Sequence, residues 1–343
     1  MSPTPSVAQK PLPQVGLKKG LPATKIPNFF IVGGPKCGTT ALDQYLSSHS
    51  DIFVWNKEMH YFGSDLIFGR QFYRRDRNAY LTEFEGWEGQ SCVGETSVWY
   101  LFSRRAADEI KAFNPEARII IMLRDPTSLL YSLYHQFLCD GNEYLGTFEE
   151  ALEAEADRGR GLRIARQAYF PQGLAYRSVV RYTEQVKRYF DAFGRERVKV
   201  IIYDDFAADT AGVYHKTLDF LGVCPSRVDP SLEFRVVNGN QTVKSPVLRS
   251  ILQDPWVRGT AIALRSRLPK PIFSMIQKAG LRLNSLNLRP EKRSEFEPDL
   301  QRSLRREFAP EVERLSELLG RDLTHWSDPD QAISKAASKA VSK

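Results

Sequence analysis

The segment Asn28-Phe29-Phe30-Ile31-Val32-Gly33-Gly34-Pro35-Lys36-Cys37-Gly38-Thr39-Thr40-Ala41-Leu42 leaves its chain few choices of fold. An apolar run stops at a Gly/Pro turn, and a helical pattern opens directly after it. A strand, a tight loop and a helix in that order aim several backbone N–H groups at one point, which suits a phosphate at a helix N-terminus. The spacing Gly33-x-x-x-x-Gly38 followed by Thr39-Thr40 comes within one residue of the nucleoside-triphosphate P-loop pattern. Thr39 stands where that pattern has lysine, and the loop's lysine, Lys36, comes three residues earlier. A cation moved forward in the loop meets a different part of the ligand.

Further along, apolar runs alternate with amphipathic ones. Asp51–Trp55 and Cys92–Glu95 read as short extended segments, and Arg118–Leu123 and Val198–Tyr203 as apolar strands. Thr39–Ser48, Ser103–Ala112, Pro126–Phe137 and Asp209–Leu221 read as helices, and Leu174–Phe193 as one long amphipathic helix. Strands without a polar face, alternating with helices, predict an α/β fold. The expected form is a P-loop-like three-layer sandwich, a central parallel sheet flanked by helices. Ligands of such folds sit beyond the carboxyl ends of the strands. From Asn238 the pattern becomes Pro-broken and basic, which predicts a C-terminal helical extension. One domain over 25–327 is expected, between a flexible leader at 1–24 and a solvated tail at 328–343.

With 343 residues, 42% of them hydrophobic and 26% charged, the chain has the make-up of a globular protein with a large core. No run approaches about 18 consecutive apolar residues, and the first residues carry no secretory pattern, so a cytoplasmic protein is expected. Cys37, Cys92, Cys139 and Cys224 form no C-x-x-C pair, and no His-rich spacing accompanies them, so no metal site is proposed. Cys37, inside the loop, is either a small packing residue or a reactive thiol.

The net charge of +7 is concentrated. Residues 244–293 hold eleven Lys/Arg against two acids, which leaves the remainder slightly acidic. Such a segment suits an anionic partner. Without an aromatic-interleaved basic stripe or a helix-turn-helix pattern, nucleic acid is not expected. Over 255–288, cations alternate with apolar residues. That fits peripheral contact with a membrane surface or an anionic acceptor, and equally a lid packed on the core. Asn238–Ser245 reads either as a loop closing over a nucleotide or as a surface turn.

Two further motifs follow strand ends. Arg124-Asp125-Pro126 closes the strongest strand, with helix-start chemistry in Asp125-Pro126 and Ser132 two turns later. The planar fork of Arg124 suits a phosphate, and Ser132 can add a hydrogen bond. Glu58-Met59-His60-Tyr61-Phe62 sets a carboxylate and an imidazole among aromatics. Either Glu58 or His60 can serve as a general base toward a hydroxyl.

In this order the three motifs resemble those of the sulfotransferases that use 3′-phosphoadenosine 5′-phosphosulfate (PAPS), nearest to the heparan-sulfate and carbohydrate branch. Pro35-Lys36-Cys37-Gly38-Thr39-Thr40 resembles the family's 5′-phosphosulfate loop, Arg124 with Ser132 its 3′-phosphate site, and Glu58-Met59-His60-Tyr61-Phe62 the segment of its catalytic glutamate. Gly94-Glu95-Thr96-Ser97 departs from the Glu-Lys-Thr-Pro of many heparan-type members, with acid expected where they carry a substrate-side lysine. The resemblance implies PAPS as co-substrate, no metal, and a hydroxyl-bearing acceptor, saccharide or lipid. It implies catalytic roles for Lys36, Glu58 and His60, and Arg177 becomes a candidate for an extra 3′-phosphate contact or a sheet-edge contact. It also accounts for the displaced lysine: with sulfuryl the transferred group, no magnesium need bridge to a transferred phosphoryl. The rival readings are a P-loop kinase and a non-catalytic module for anionic glycan or lipid. Neither the acceptor nor the oligomeric state is legible.

Overall fold

The computed structural model describes residues 26–55, 58–69, 76–224, 234, 241–243, 288–290 and 296–328. The apolar runs form a five-stranded sheet from β1 (Phe29–Gly33), β2 (Ile52–Val54), β3 (Cys92–Thr96), β4 (Arg118–Leu123) and β5 (Val198–Ile202). Its order is β2-β3-β1-β4-β5, and every neighbouring pair is parallel. The three central strands explain why no polar alternation shows in the sequence: β1 and β3 are buried throughout, and β4 is buried after Arg118. Each wholly enclosed side chain of this kind contributes roughly 1.5–3 kcal/mol of hydrophobic stabilisation.

Helices α1 (Thr39–Ser47), α2 (Arg77–Thr82), α3 (Ala106–Phe113), α4 (Pro126–Asp140), α5 (Phe148–Glu153) and α6 (Glu155–Gly159) precede α7 (Tyr176–Val179) and α8 (Tyr182–Phe193). After β5 come α9 (Tyr203–Ala208), α10 (Thr210–Leu221) and, near the C-terminus, α11 (Pro298–Leu319). α1 packs on α10, whereas α8 joins α3 and α11, and α11 joins α4. The expected P-loop-like sandwich, a parallel sheet flanked by helices, is the observed fold.

Local chemistry moves several helix limits. α3 starts at Ala106, after a turn in which Ser103 Oγ accepts the N–H groups of Arg105 at 3.0 Å and Ala106 at 2.9 Å. α4 starts at Pro126 as expected, with Asp125 Oδ1 accepting the Thr127 N–H at 2.9 Å. It then runs on to Asp140 before Gly141, at φ 74°, ends it. The single helix expected over Leu174–Phe193 is interrupted. Gln185 Nε2 donates to the carbonyls of Ser178 and Val179, each at 3.1 Å, ending α7, and the chain restarts after Arg181 as α8.

Residues 241–243, expected in a loop or turn, form β6 (Gln241–Val243), antiparallel to β7 (Leu288–Pro290). β6 lies beside α4, so the two ends of the intervening basic stretch are tied together there. The leader at 1–24, the tail beyond Asp328 and most of the basic segment 244–293 lie outside the described residues.

Candidate active site

The loop after β1 is shaped by its glycines. Gly33 has φ +145°, and a Cβ there would lie 2.4 Å from the Val98 carbonyl oxygen. Gly38 has φ +89° and carries no Cβ where the Tyr203 ring passes at 3.3 Å. Between them Gly34 N–H donates to Met122 O at 2.5 Å, tying the loop to β4. Lys36 takes a left-handed φ of 59°. The loop ends in the N-terminus of α1, where no side chain caps the helix and no acid occupies the first turn. That terminus offers its positive end to an anion. Thr39 is enclosed and Thr40 half-buried. Pro35 is buried, and Cys37 donates to its carbonyl at 3.3 Å. Burial pushes the Cys37 thiol up to about 12, so it packs as a neutral side chain and is no reactive thiolate.

Arg124, after β4, comes to this loop. Its guanidinium donates to the Lys36 carbonyl at 3.3 Å and stacks over Tyr203 at 4.7 Å from the ring centroid, while Tyr182 donates to the Arg124 carbonyl at 3.0 Å. Ser132 is buried in α4. Gln136 and Asp140 follow it at steps of four on the same helical face. Lys36 Nζ donates to Gln136 Oε1 at 3.0 Å, and Gln136 Nε2 donates to both Asp140 oxygens at 2.9 Å. A carboxylate only accepts, so Asp140 orients the amide and turns its carbonyl toward the lysine. Tyr169 completes this wall. Burial first, then the charges of Asp140 and Glu58, push its phenol far above the ordinary range.

Glu58 reaches the same strand ends from the segment after β2. Its N–H donates to Thr96 O at 2.7 Å, and its Oε2 accepts from the Val98 N–H at 3.3 Å, leaving the side chain one-third exposed. His60 is enclosed and stacks on Phe68 at 3.9 Å between centroids. Burial lowers its pKa to about 4, so the imidazole is neutral at pH 7. Its Nε2 lies 3.6 Å from Glu58 Oε2, a contact of carboxylate with neutral ring rather than an ion pair. Nδ1 has no partner, and a bare lone pair there costs less than a buried N–H, which places the ring proton on Nε2. Of the two candidate bases, Glu58 has the solvent-facing geometry.

Arg177 is not brought to the loop. It donates to Glu155 Oε2 at 2.6 Å, to Glu307 Oε1 at 2.6 Å and to the Leu152 carbonyl at 3.1 Å, joining α6, α7 and α11. Glu95, expected on the substrate side, is buried inside the sheet and makes no acidic surface there. The sequence signal for Gln136 and Asp140 is their four-residue spacing from Ser132, and no local pattern marks Tyr169 or Tyr203. Among the described residues no group of three metal-ligating side chains occurs, and no helix is long and apolar enough to cross a membrane. A cavity of about 230 Å³ at the β5 edge is lined by Phe190, Val200 and Leu319 with Arg195 and Arg321, and by no carboxylate or imidazole.

Comparison with known proteins agrees with this geometry. Residues 27–255 match the family described as a sulfotransferase domain. The fold is similar to the crystal structure of a sulfotransferase from Alicyclobacillus acidocaldarius, with a TM-score of 0.62, 34% identity, and coverage of 88% of this chain and 99% of that one. A membrane-associated sulfotransferase, kil1, of Dictyostelium discoideum is 32% identical over 140 residues, 38% of this chain and 28% of the relative. The human heparan sulfate glucosamine 3-O-sulfotransferase 3B1 is 24% identical over 241 residues, 70% of this chain and 57% of the relative. The chain therefore spans less than two thirds of the length of these two curated relatives.

Proposed function

This chain belongs to the sulfotransferase domain family, and from that premise we propose that it moves a sulfuryl group from PAPS to a hydroxyl of a saccharide acceptor. The observation that carries the donor side is the Arg124 guanidinium on the carbonyl of Lys36, which joins two motifs 88 residues apart at one strand end. In this reading the N-terminus of α1, with Gly38, Thr39 and Thr40, receives the 5′-phosphate. Arg124 and Ser132 receive the 3′-phosphate, and Pro35 and Cys37 shape the turn. Glu58 takes the proton of the acceptor hydroxyl as its oxygen attacks sulfur in line. The S–O bond to the 5′-phosphate breaks, and the Lys36 ammonium offsets the charge that collects on the departing oxygen. His60, neutral and clamped on Phe68, packs against the base and excludes water from one side of it.

Residues 25–327 act as one domain in this reading. In support, α11 packs on α4 and α8, and Arg305 of α11 lies 3.4 Å from Asp125, the cap of α4. The heparan-sulfate relative supports a saccharide acceptor, and the membrane-associated relative supports peripheral membrane contact of a cytoplasmic protein through 255–288. The test of the donor is titration calorimetry without magnesium. 3′,5′-Bisphosphoadenosine should bind more tightly than ATP, and labelled PAPS should pass its label to an oligosaccharide in a panel of acceptors. Binding that requires magnesium and prefers ATP would return the loop to the kinase class.

A further inference from the structure

Met59 separates two residues with left-handed backbone, Glu58 at φ 64° and His60 at φ 50°, in a segment outside any helix or strand. Such a conformation persists only where its surroundings over-determine it. The restraint comes from a shelf of hydroxyls. His60 N–H donates to Ser97 Oγ at 3.2 Å, and Tyr100 Oη accepts the N–H groups of Tyr61 at 2.8 Å and Phe62 at 3.2 Å. Both shelf hydroxyls donate onward to one carboxylate oxygen, Glu95 Oε1, from Tyr100 at 2.6 Å and Ser97 at 2.8 Å. The other oxygen receives Tyr80 Oη at 2.5 Å, and the Tyr80 ring stacks on Tyr61 at 4.0 Å.

We propose that Glu95 is a positioning residue for the base: an enclosed carboxylate that orients the Ser97, Tyr100 and Tyr80 hydroxyls so that the segment carrying Glu58 hangs from β3 in one conformation. This rests on Glu58 being the base. The polarity of the hydrogen bonds runs one way. An ionised carboxylate accepts only, so each hydroxyl proton points at Glu95 and leaves the oxygen lone pairs of Ser97 and Tyr100 for backbone N–H groups. Burial raises the Glu95 pKa, and the bonds from Tyr100, Tyr80 and Ser97 oppose that rise. In the Glu95→Gln variant an amide N–H must face at least one of these oxygens and reverse its bond.

The test compares wild type, Glu95→Gln and Tyr100→Phe in the full chain by three measurements: amide hydrogen exchange over 58–62, bisphosphoadenosine affinity, and kcat against KM. Glu95→Gln should expose the amides of 60–62 to exchange about tenfold faster. It should lower kcat about 10²-fold, as displacement of a reacting group does, with bisphosphoadenosine affinity within about twofold of wild type. Tyr100→Phe should speed exchange at Tyr61 and Phe62 alone. Unchanged exchange, or donor affinity falling in step with kcat, overturns the assignment. If Glu95→Gln does not fold, Tyr100→Phe decides it by the same readout. If the wild type transfers no sulfuryl group, the enzymatic reading fails, while the exchange result still decides whether Glu95 holds the segment.

Discussion

The loop over Gly33–Thr40 and the segment over Glu58–Phe62 meet at the same strand ends but are built in opposite ways. The first is shaped from within: Gly33 and Gly38 supply positive φ and missing Cβ atoms, and the helix that follows supplies the electrostatics. The second is shaped from outside, by Ser97, Tyr100 and Glu95, roughly forty residues away in sequence and contributed by β3 and the turn after it. A site that binds a fixed anion can be written into a short motif. The segment proposed to hold one carboxylate toward an acceptor borrows its rigidity from the sheet and the turn after β3.

If the proposed reaction holds, the largest effects fall on Glu58 and Lys36. Glu58→Gln keeps the shape of the segment but removes the proton acceptor, and kcat should fall by about 10²–10⁴ with donor affinity unchanged. Weaker bisphosphoadenosine binding in that variant would show that the two regions are less separate than their construction implies. Lys36→Ala should lower kcat by about two powers of ten, a few kcal/mol of lost charge stabilisation, because the ammonium acts on charge that develops only as the S–O bond breaks. Intact turnover would remove the lysine from the chemistry. In both variants the melting temperature should move little.

His60 gives a pH-dependent handle on the outer-built region. Its pKa is lowered by burial to about 4 in the folded chain, against an ordinary value of 6.5. Between those values the unfolded chain binds the proton and the folded chain refuses it. The contribution to stability is therefore complete above about pH 6.5 and is lost as pH falls toward 4, up to about 3 kcal/mol. Denaturant titrations of wild type and His60→Gln from pH 7 to pH 4 should show the steeper loss in wild type. Equal slopes would mean that the ring is hydrated and the segment looser than described.

The contrast between the two regions also explains what was legible. The sheet showed in runs such as Arg118–Leu123, because that strand is buried on both faces after its first residue and is apolar throughout that stretch. The loop over Gly33–Thr40 showed because glycine spacing and local chemistry coincide there. The break between α7 and α8 stayed hidden, since it depends on the Gln185 amide folding back onto the carbonyls of Ser178 and Val179, a contact that periodicity does not encode. The enclosure of Glu95, an acid expected on the substrate side by resemblance, stayed hidden as well. Its environment is made of Tyr80 from α2 and of Ser97 and Tyr100 from the turn after β3, and no spacing announces three hydroxyls converging on a buried carboxylate.

The smallest expected effect is at Arg177. By sequence it stands at the head of a helix near the donor side, and a phosphate contact is a natural expectation. The structure gives its guanidinium two carboxylates, Glu155 and Glu307, and the Leu152 carbonyl, so its donors already serve a joint between helices. The side chain is about two-fifths exposed, which limits what these pairs contribute to stability to about 1 kcal/mol. Arg177→Ala should therefore change bisphosphoadenosine affinity by less than about twofold and shift the melting temperature by a few degrees at most. A tenfold loss of donor affinity would mean that Arg177 leaves its acids to take a phosphate. The boundary between scaffold and proposed donor site would then lie one helix further out than these contacts place it.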